Sequence, residues 1–189
     1  MNMEIKERSR QEIEARLGKM GDYVQIDYLQ RALSTHLDFD TRKFVLTKLA
    51  SMYEDKGMIL EAAKLMKSAA EINTTFKTKI QDYMKTVELY VRGGSFQDAD
   101  LMFAQALALG NEREKGDMKS SYKKYYTDLA QFHMQRDKRQ LARKTYEKLI
   151  TLDLSPAEKK AAQDSLLQLY QKLGNIRDFY RLRDGSIGM

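Results

Sequence analysis

The chain has no cysteine and no tryptophan, and Pro156 is the single proline among its 189 residues. Without cysteine there is no disulfide framework, thiolate zinc site, iron–sulfur cluster or thiol nucleophile. With one proline in a chain rich in Ala, Leu, Lys, Glu, Gln and Met, helix is expected almost throughout. Charged residues interrupt every apolar run well short of the ~18 residues that cross a bilayer. The opening residues, Met1-Asn-Met-Glu-Ile-Lys-Glu-Arg8, lack the apolar core of a secretory signal, so an intracellular, cytoplasmic protein is expected. Asn2 is not the Gly that myristoylation needs. What is present is a globular balance: 42% hydrophobic residues with 33 basic and 27 acidic side chains, a net charge of +6. That argues for an ordered chain, and its length for one domain over 1–189.

The chain repeats itself. Tyr53, Gly57, Ala62, Met66 and Ala69 have the same spacing as Tyr90, Gly94, Ala99, Phe103 and Ala106. Tyr170, Gly174 and Ile176 repeat the first half, with Phe179 where the small residue belongs. His133, Asp137, Ala142, Tyr146 and Leu149 keep the frame without its Gly, and Leu17, Gly21, Tyr23, Ile26 and Leu33 fit it with substitutions. The grid yields five helix pairs, at about 7–40, 41–75, 76–110, 119–152 and 155–185. An insertion occupies 110–122, and 184–189 is a tail. Alanines seven apart let the second helix approach its neighbours, the large residues fill the space between helices, and the glycines close the first helix of a pair. Ser155-Pro156-Ala-Glu158 reads as a capping box opening the last pair, with Asp40 or Thr41 and Thr74 or Thr75 as N-caps of the second and third.

Catalytic chemistry has few candidates. His133 occupies the position of Tyr53 and Tyr90 and reads as a packed residue. His36, in Thr35-His-Leu-Asp38-Phe-Asp40, has carboxylates nearby, but these are better explained as helix caps than as metal ligands. Gly93-Gly94 is not followed by the Lys-Ser or Lys-Thr of a phosphate loop, and no nucleophile elbow or His-Glu-x-x-His occurs. Most of the eleven methionines read as core fillers. Neither catalysis nor a cofactor or metal is expected.

The grid resembles the tetratricopeptide repeat family, whose unit is a helix–turn–helix of about 34 residues. The resemblance covers about 7–183 and departs from the family in lacking its Trp and its closing proline. It implies an all-α, right-handed superhelical solenoid whose first helices line a concave groove, acting as a protein-interaction scaffold or adaptor. In that frame the groove carries Phe44, Thr47, Ser51 and Glu54, then Gln81, Met84, Glu88 and Val91, then Lys124, Thr127, Gln131 and Met134. Such a stripe suits an extended peptide or a partner helix. Some members clamp a chaperone's terminal carboxylate with Lys, Asn, Asn, Lys and Arg. The matching positions here are Thr47, Ser51, Lys85, Lys124 and Asp128, of which only Lys124 agrees, so that mode is disfavoured.

The net charge is local. Residues 119–148 hold 9 basic and 3 acidic side chains, whereas 1–118 hold 18 and 19, and 149–189 hold 6 and 5. Lys119, Lys123, Lys124, Arg136, Lys138, Arg139, Arg143, Lys144 and Lys148 therefore form a candidate patch for an acidic protein or, as the alternative, for RNA. Tyr122, Tyr125 and Tyr126 would supply base-stacking if exposed, although the helical spacing of Tyr122, Tyr126 and Leu129 favours a core role. The last helix, from Asn175 to about Arg183, offers Ile176, Phe179 and Tyr180 for self-association.

Overall fold

A computed structural model describes residues 5–185. These residues form ten helices: α1 (Arg10–Leu17), α2 (Asp22–Leu33), α3 (Phe39–Asp55), α4 (Ile59–Ile72), α5 (Phe76–Arg92), α6 (Phe96–Leu109), α7 (Glu112–Gln135), α8 (Arg139–Leu149), α9 (Pro156–Leu173) and α10 (Ile176–Arg183). There is no strand among the described residues. From residue 186 onward the expected tail lies outside them. The architecture is all-α and built of tetratricopeptide-like helix pairs, in two compact units, one ending at Asn111 and one beginning at Glu112.

The turn within a pair defines the repeat in atomic detail. Gly57, Gly94 and Gly174 adopt φ of 76°, 77° and 72°, the left-handed conformation that costs a residue with a Cβ about 1 kcal/mol or more. In each turn the next amide donates back to the carbonyl of the aromatic residue five positions earlier: Met58 to Tyr53 at 2.8 Å, Ser95 to Tyr90 at 2.9 Å, Asn175 to Tyr170 at 2.8 Å. This closes the orphan carbonyls of the first helix as a Schellman motif does. The fourth pair makes the same bond from Lys138 to His133, 2.9 Å, with Asp137 at φ 51° in place of glycine. Asp tolerates this region better than most residues, and its carboxylate is held by the Arg139 side chain at 2.7 Å.

In the first unit, α4 lies between α3 and α5, and α6 packs on α5. Ala62, Ala63, Ala69 and Ala70 are completely buried, so α4 presents almost bare backbone to its neighbours, as the seven-residue alanine spacing predicts. The first pair departs from the pattern. Gly21 has an ordinary φ of −74° and precedes α2 as its N-cap, while the short α1 packs on α3 and sends Ile13 and Leu17 into a core with Tyr28, Leu29, Val45 and Leu49. In the second unit α8 lies between α7 and α9, with Ala142 and Ala162 buried, and α10 packs on α9.

Of the three expected helix starts, Ser155 and Thr75 stand at the N-caps of α9 and α5, and that of α3 differs. Ser155 and Glu158 form the capping box with Pro156 in the first turn. For α3 the cap is Asp38, two residues before Asp40; its carboxylate accepts from the Thr41 amide at 2.9 Å and the Thr41 hydroxyl at 2.7 Å. At α5 the side chain of Thr75 makes no cap bond; Asn73 accepts instead from the Thr75 amide, 3.2 Å, and the Thr78 hydroxyl, 3.1 Å. Of the insertion expected at 110–122, the residues from Glu112 onward are the opening turns of the 24-residue α7. They contain no proline, and Glu112 pairs with Lys115 one turn on at 2.8 Å, so helix continues through them.

Gly94→Ala is expected to lower the unfolding free energy by about 1 kcal/mol, because open space around its Cβ position leaves only the backbone penalty. Asp137→Gly is expected to be neutral or stabilising by up to about 1 kcal/mol. Urea unfolding of the two variants measures both signs.

Candidate interaction surfaces

On α3, residues 43, 47, 51 and 54 recur every three or four positions and so share one face; on α5 the same holds for 81, 85, 88 and 92. Ion pairs join the two faces. Lys43 meets Asp82 at 2.8 Å, and Asp82 also accepts from the Asn73 amide at 2.7 Å. Eleven residues further along α3, or about 16 Å of helix rise, Glu54 binds both Lys85, at 3.2 Å, and Arg92. Glu88 completes the network, 3.2 Å from Lys85 and 3.1 Å from Arg92. Partial burial pushes the Glu54 carboxyl up, but hydrogen bonds from Arg92 and Lys85 outweigh it and hold the group below the usual carboxylate range.

The ion pairs decide what this face offers. Its charges are spent on one another, with Glu54 and Glu88 both half-buried in the network. Ser51 and Gln81 are exposed. The Thr47 hydroxyl is turned onto its own helix, 3.0 Å from the Lys43 carbonyl. Phe44 is half-buried beneath the Arg10 guanidinium, 4.7 Å from the ring centre. Met84 and Val91 are buried and belong to the core of α5. Sequence reasoning did not single out Lys43, Asp82 and Arg92. The spacing of Lys85, Glu88 and Arg92 hints at pairs within α5, but the bridges to α3 depend on how the two helices lie.

In the second unit much of the basic excess is cancelled locally. Lys123 pairs with Glu158 at 3.2 Å, Lys124 with Asp128 at 3.2 Å, Arg139 with Asp137 at 2.7 Å and Arg143 with Glu147 at 2.7 Å. Arg136 is exposed but lies over the Phe132 ring, 4.4 Å from its centre. Lys119, Lys138 and Lys144 are exposed, and Lys148 is half-buried. Of the α7 stripe, Lys124 and Gln131 are exposed, Met134 is half-buried, and the Thr127 hydroxyl bonds the Lys123 carbonyl at 3.0 Å. Tyr122 and Tyr126 are buried and stack edge to face at 5.2 Å, which removes them as a base-stacking platform.

The two histidines are separated by their surroundings. His36 is exposed, and the neighbouring Asp38 is engaged as the α3 cap. Among the described residues no three His, Cys, Asp or Glu side chains come together as a metal site. His133 has a buried Nδ1 without a hydrogen-bond partner among the described residues. Burial, and secondarily the Lys138 charge, hold its pKa below the usual value. It is therefore neutral near pH 7. No helix of the described residues is long and apolar enough to cross a membrane.

No family model matches the chain, and no curated protein matches it. Solved structures to which the chain is similar include BtubC (BKLC) from P. vanneervenii, at 15% identity and a TM-score of 0.39, over 94% of this chain and 79% of that one. A putative kinesin light chain from Podosopora anserina with nearly identical TPR-like repeats is 17% identical with a TM-score of 0.41, over 93% of this chain and 90% of that one.

Because the folded pKa of His133 is depressed, acidification below about pH 6.5 protonates the unfolded chain first and favours unfolding. His133→Phe is expected to add about 1 kcal/mol at neutral pH by removing the orphaned nitrogen. It is also expected to shrink the loss of stability between about pH 6.5 and 5. Urea midpoints of both proteins across that range provide the check. Glu54 acts in the other direction, stabilising above its usual range and losing that effect as pH falls through its lowered value. Glu54→Ala should cost about 1 kcal/mol or less at pH 7, since the pairs are partly exposed.

Proposed function

We propose that this chain is a non-enzymatic docking scaffold. The face shared by α3 and α5 receives an extended peptide or a partner helix, and the exposed cations of α7 and α8 attract an acidic partner. The observation that carries this reading is the ion-pair network linking Lys43 to Asp82 and Glu54 to Lys85 and Arg92. A ligand charge placed there would have to displace a pair already made, whereas the Ser51 hydroxyl and the Gln81 amide are open to backbone groups of a peptide. Lys119, Lys138 and Lys144 then act by raising the rate of encounter with an acidic protein more than its final affinity.

A photo-crosslinking amino acid at Gln81 captures the ligand in the native cell, and binding is then measured with the purified partner. Ser51→Arg with Gln81→Arg is expected to weaken that binding at least about tenfold. Lys138→Glu with Lys144→Glu is expected to slow association and flatten its salt dependence. Full affinity in the Ser51/Gln81 variant rejects the α3–α5 face. Capture of RNA whose affinity falls steeply with salt would replace this reading with a nucleic-acid one.

A further inference from the structure

α4, α8 and α10 start from the same turn: their N-caps Met58, Lys138 and Asn175 have φ,ψ of −82°,62°, −82°,63° and −81°,62°. Ile59, Arg139 and Ile176 are therefore equivalent first residues, and the positions after them can be compared one by one. Four residues on stand Ala63, fully buried, Arg143, half-buried, and Tyr180, 48% exposed. Seven residues on, Met66 and Tyr146 are buried at 8% and 7% exposure while Arg183 is exposed. The cause is the neighbourhood: α4 lies between α3 and α5 and α8 between α7 and α9, whereas α10 packs on α9 and leaves Ile176 67% exposed.

We propose that this open face of α10 is a docking site for an amphipathic helix of a partner protein whose apolar stripe is flanked by carboxylates. It is a different surface from the α3–α5 face and stands independently of it. Ile176 and Tyr180, four residues apart, form an apolar pair on this open face, where α4 has Ile59 and Ala63 and α8 has Arg139 and Arg143. Arg177 and Arg181 run alongside them, both exposed and neither paired with a carboxylate among the described residues. Arg183 lies over the Tyr180 ring at 4.6 Å and is the one partly neutralised, by Asp184 at 2.9 Å. An apolar pair bordered by unpaired guanidinium groups is complementary to leucines bordered by Glu or Asp, with bidentate pairing available to each arginine. A second copy would bring the same two arginines to the contact rather than the flanking carboxylates this face would pair with.

The test is direct titration of the purified chain with two synthetic helical peptides of about 18 residues, long enough to span the face. Both carry leucines at i, i+4 and i+7; one is flanked by glutamates and the other by lysines. The glutamate peptide is expected to bind at least about tenfold more tightly than the lysine peptide. Arg177→Glu with Arg181→Glu should reverse that preference, and Ile176→Asp should weaken the glutamate peptide at least about tenfold. Both variants change exposed side chains, and far-ultraviolet circular dichroism with a thermal melt verifies that each remains folded. Equal binding of the two peptides, absence of binding by the glutamate peptide, or indifference to both variants overturns the proposal. So does sedimentation showing a dimer that Ile176→Asp dissolves, which would assign the face to a second copy.

Discussion

The array depends on one hydrogen bond made four times. In the turns at Gly57, Gly94, Asp137 and Gly174 an amide reaches back five residues to the carbonyl of Tyr53, Tyr90, His133 or Tyr170. That bond requires the left-handed residue before it, and together they set the direction in which the second helix leaves. Once the exit is set, the small residues fall at buried positions. Ala62, Ala99 and Ala142 are each fully buried at the same offset from the turn. A bulky side chain at that offset would push the helices of a pair apart. Only α10 carries one there, Phe179, and it is also the helix that buries just one residue completely enough to count as core, Leu182.

Charge plays a secondary but consistent part. Within the first unit, cations and carboxylates from α3 and α5 cancel across the face they share, and within the second unit carboxylates from α7, the following turn, α8 and α9 each take up a basic neighbour. Such half-exposed pairs contribute little energy individually. Their larger effect is on selectivity, since they remove charge from surfaces where composition suggests it is available. The open cations that remain are fewer and more dispersed than the run of basic residues in the sequence implies.

Much of the fold was legible because its determinants are local. The aromatic-to-glycine spacing and the Ser155–Glu158 box each span only a few residues, and both mean in space what they mean in sequence. The first pair, which has no left-handed turn residue, was less so: Gly21 fits the grid by position yet serves as an ordinary N-cap, and α1 finds its partner in α3. The candidate groove was legible as a helix face, through Ser51 and Gln81, but not in depth. Met84 sits in the same stripe and is buried, because α5 is enclosed by α4 and α6 over much of its circumference. Interhelix pairs such as Lys123–Glu158 were out of reach, since 35 residues separate partners that only helix packing brings together.

At two of the four turns the aromatic residue ahead of the turn also ties its pair to the one before it. The Tyr53 hydroxyl accepts from the Gln30 side-chain amide, and the Tyr170 hydroxyl donates to Glu147 at 2.9 Å, each partner lying 23 residues earlier in the chain. Those two seams are thus stitched by a polar contact as well as by packing. A pair excised or transplanted as a module would leave a stranded hydroxyl on one side and an unanswered amide or carboxylate on the other. The repeat is a unit of sequence, but the unit of hydrogen bonding straddles its boundary.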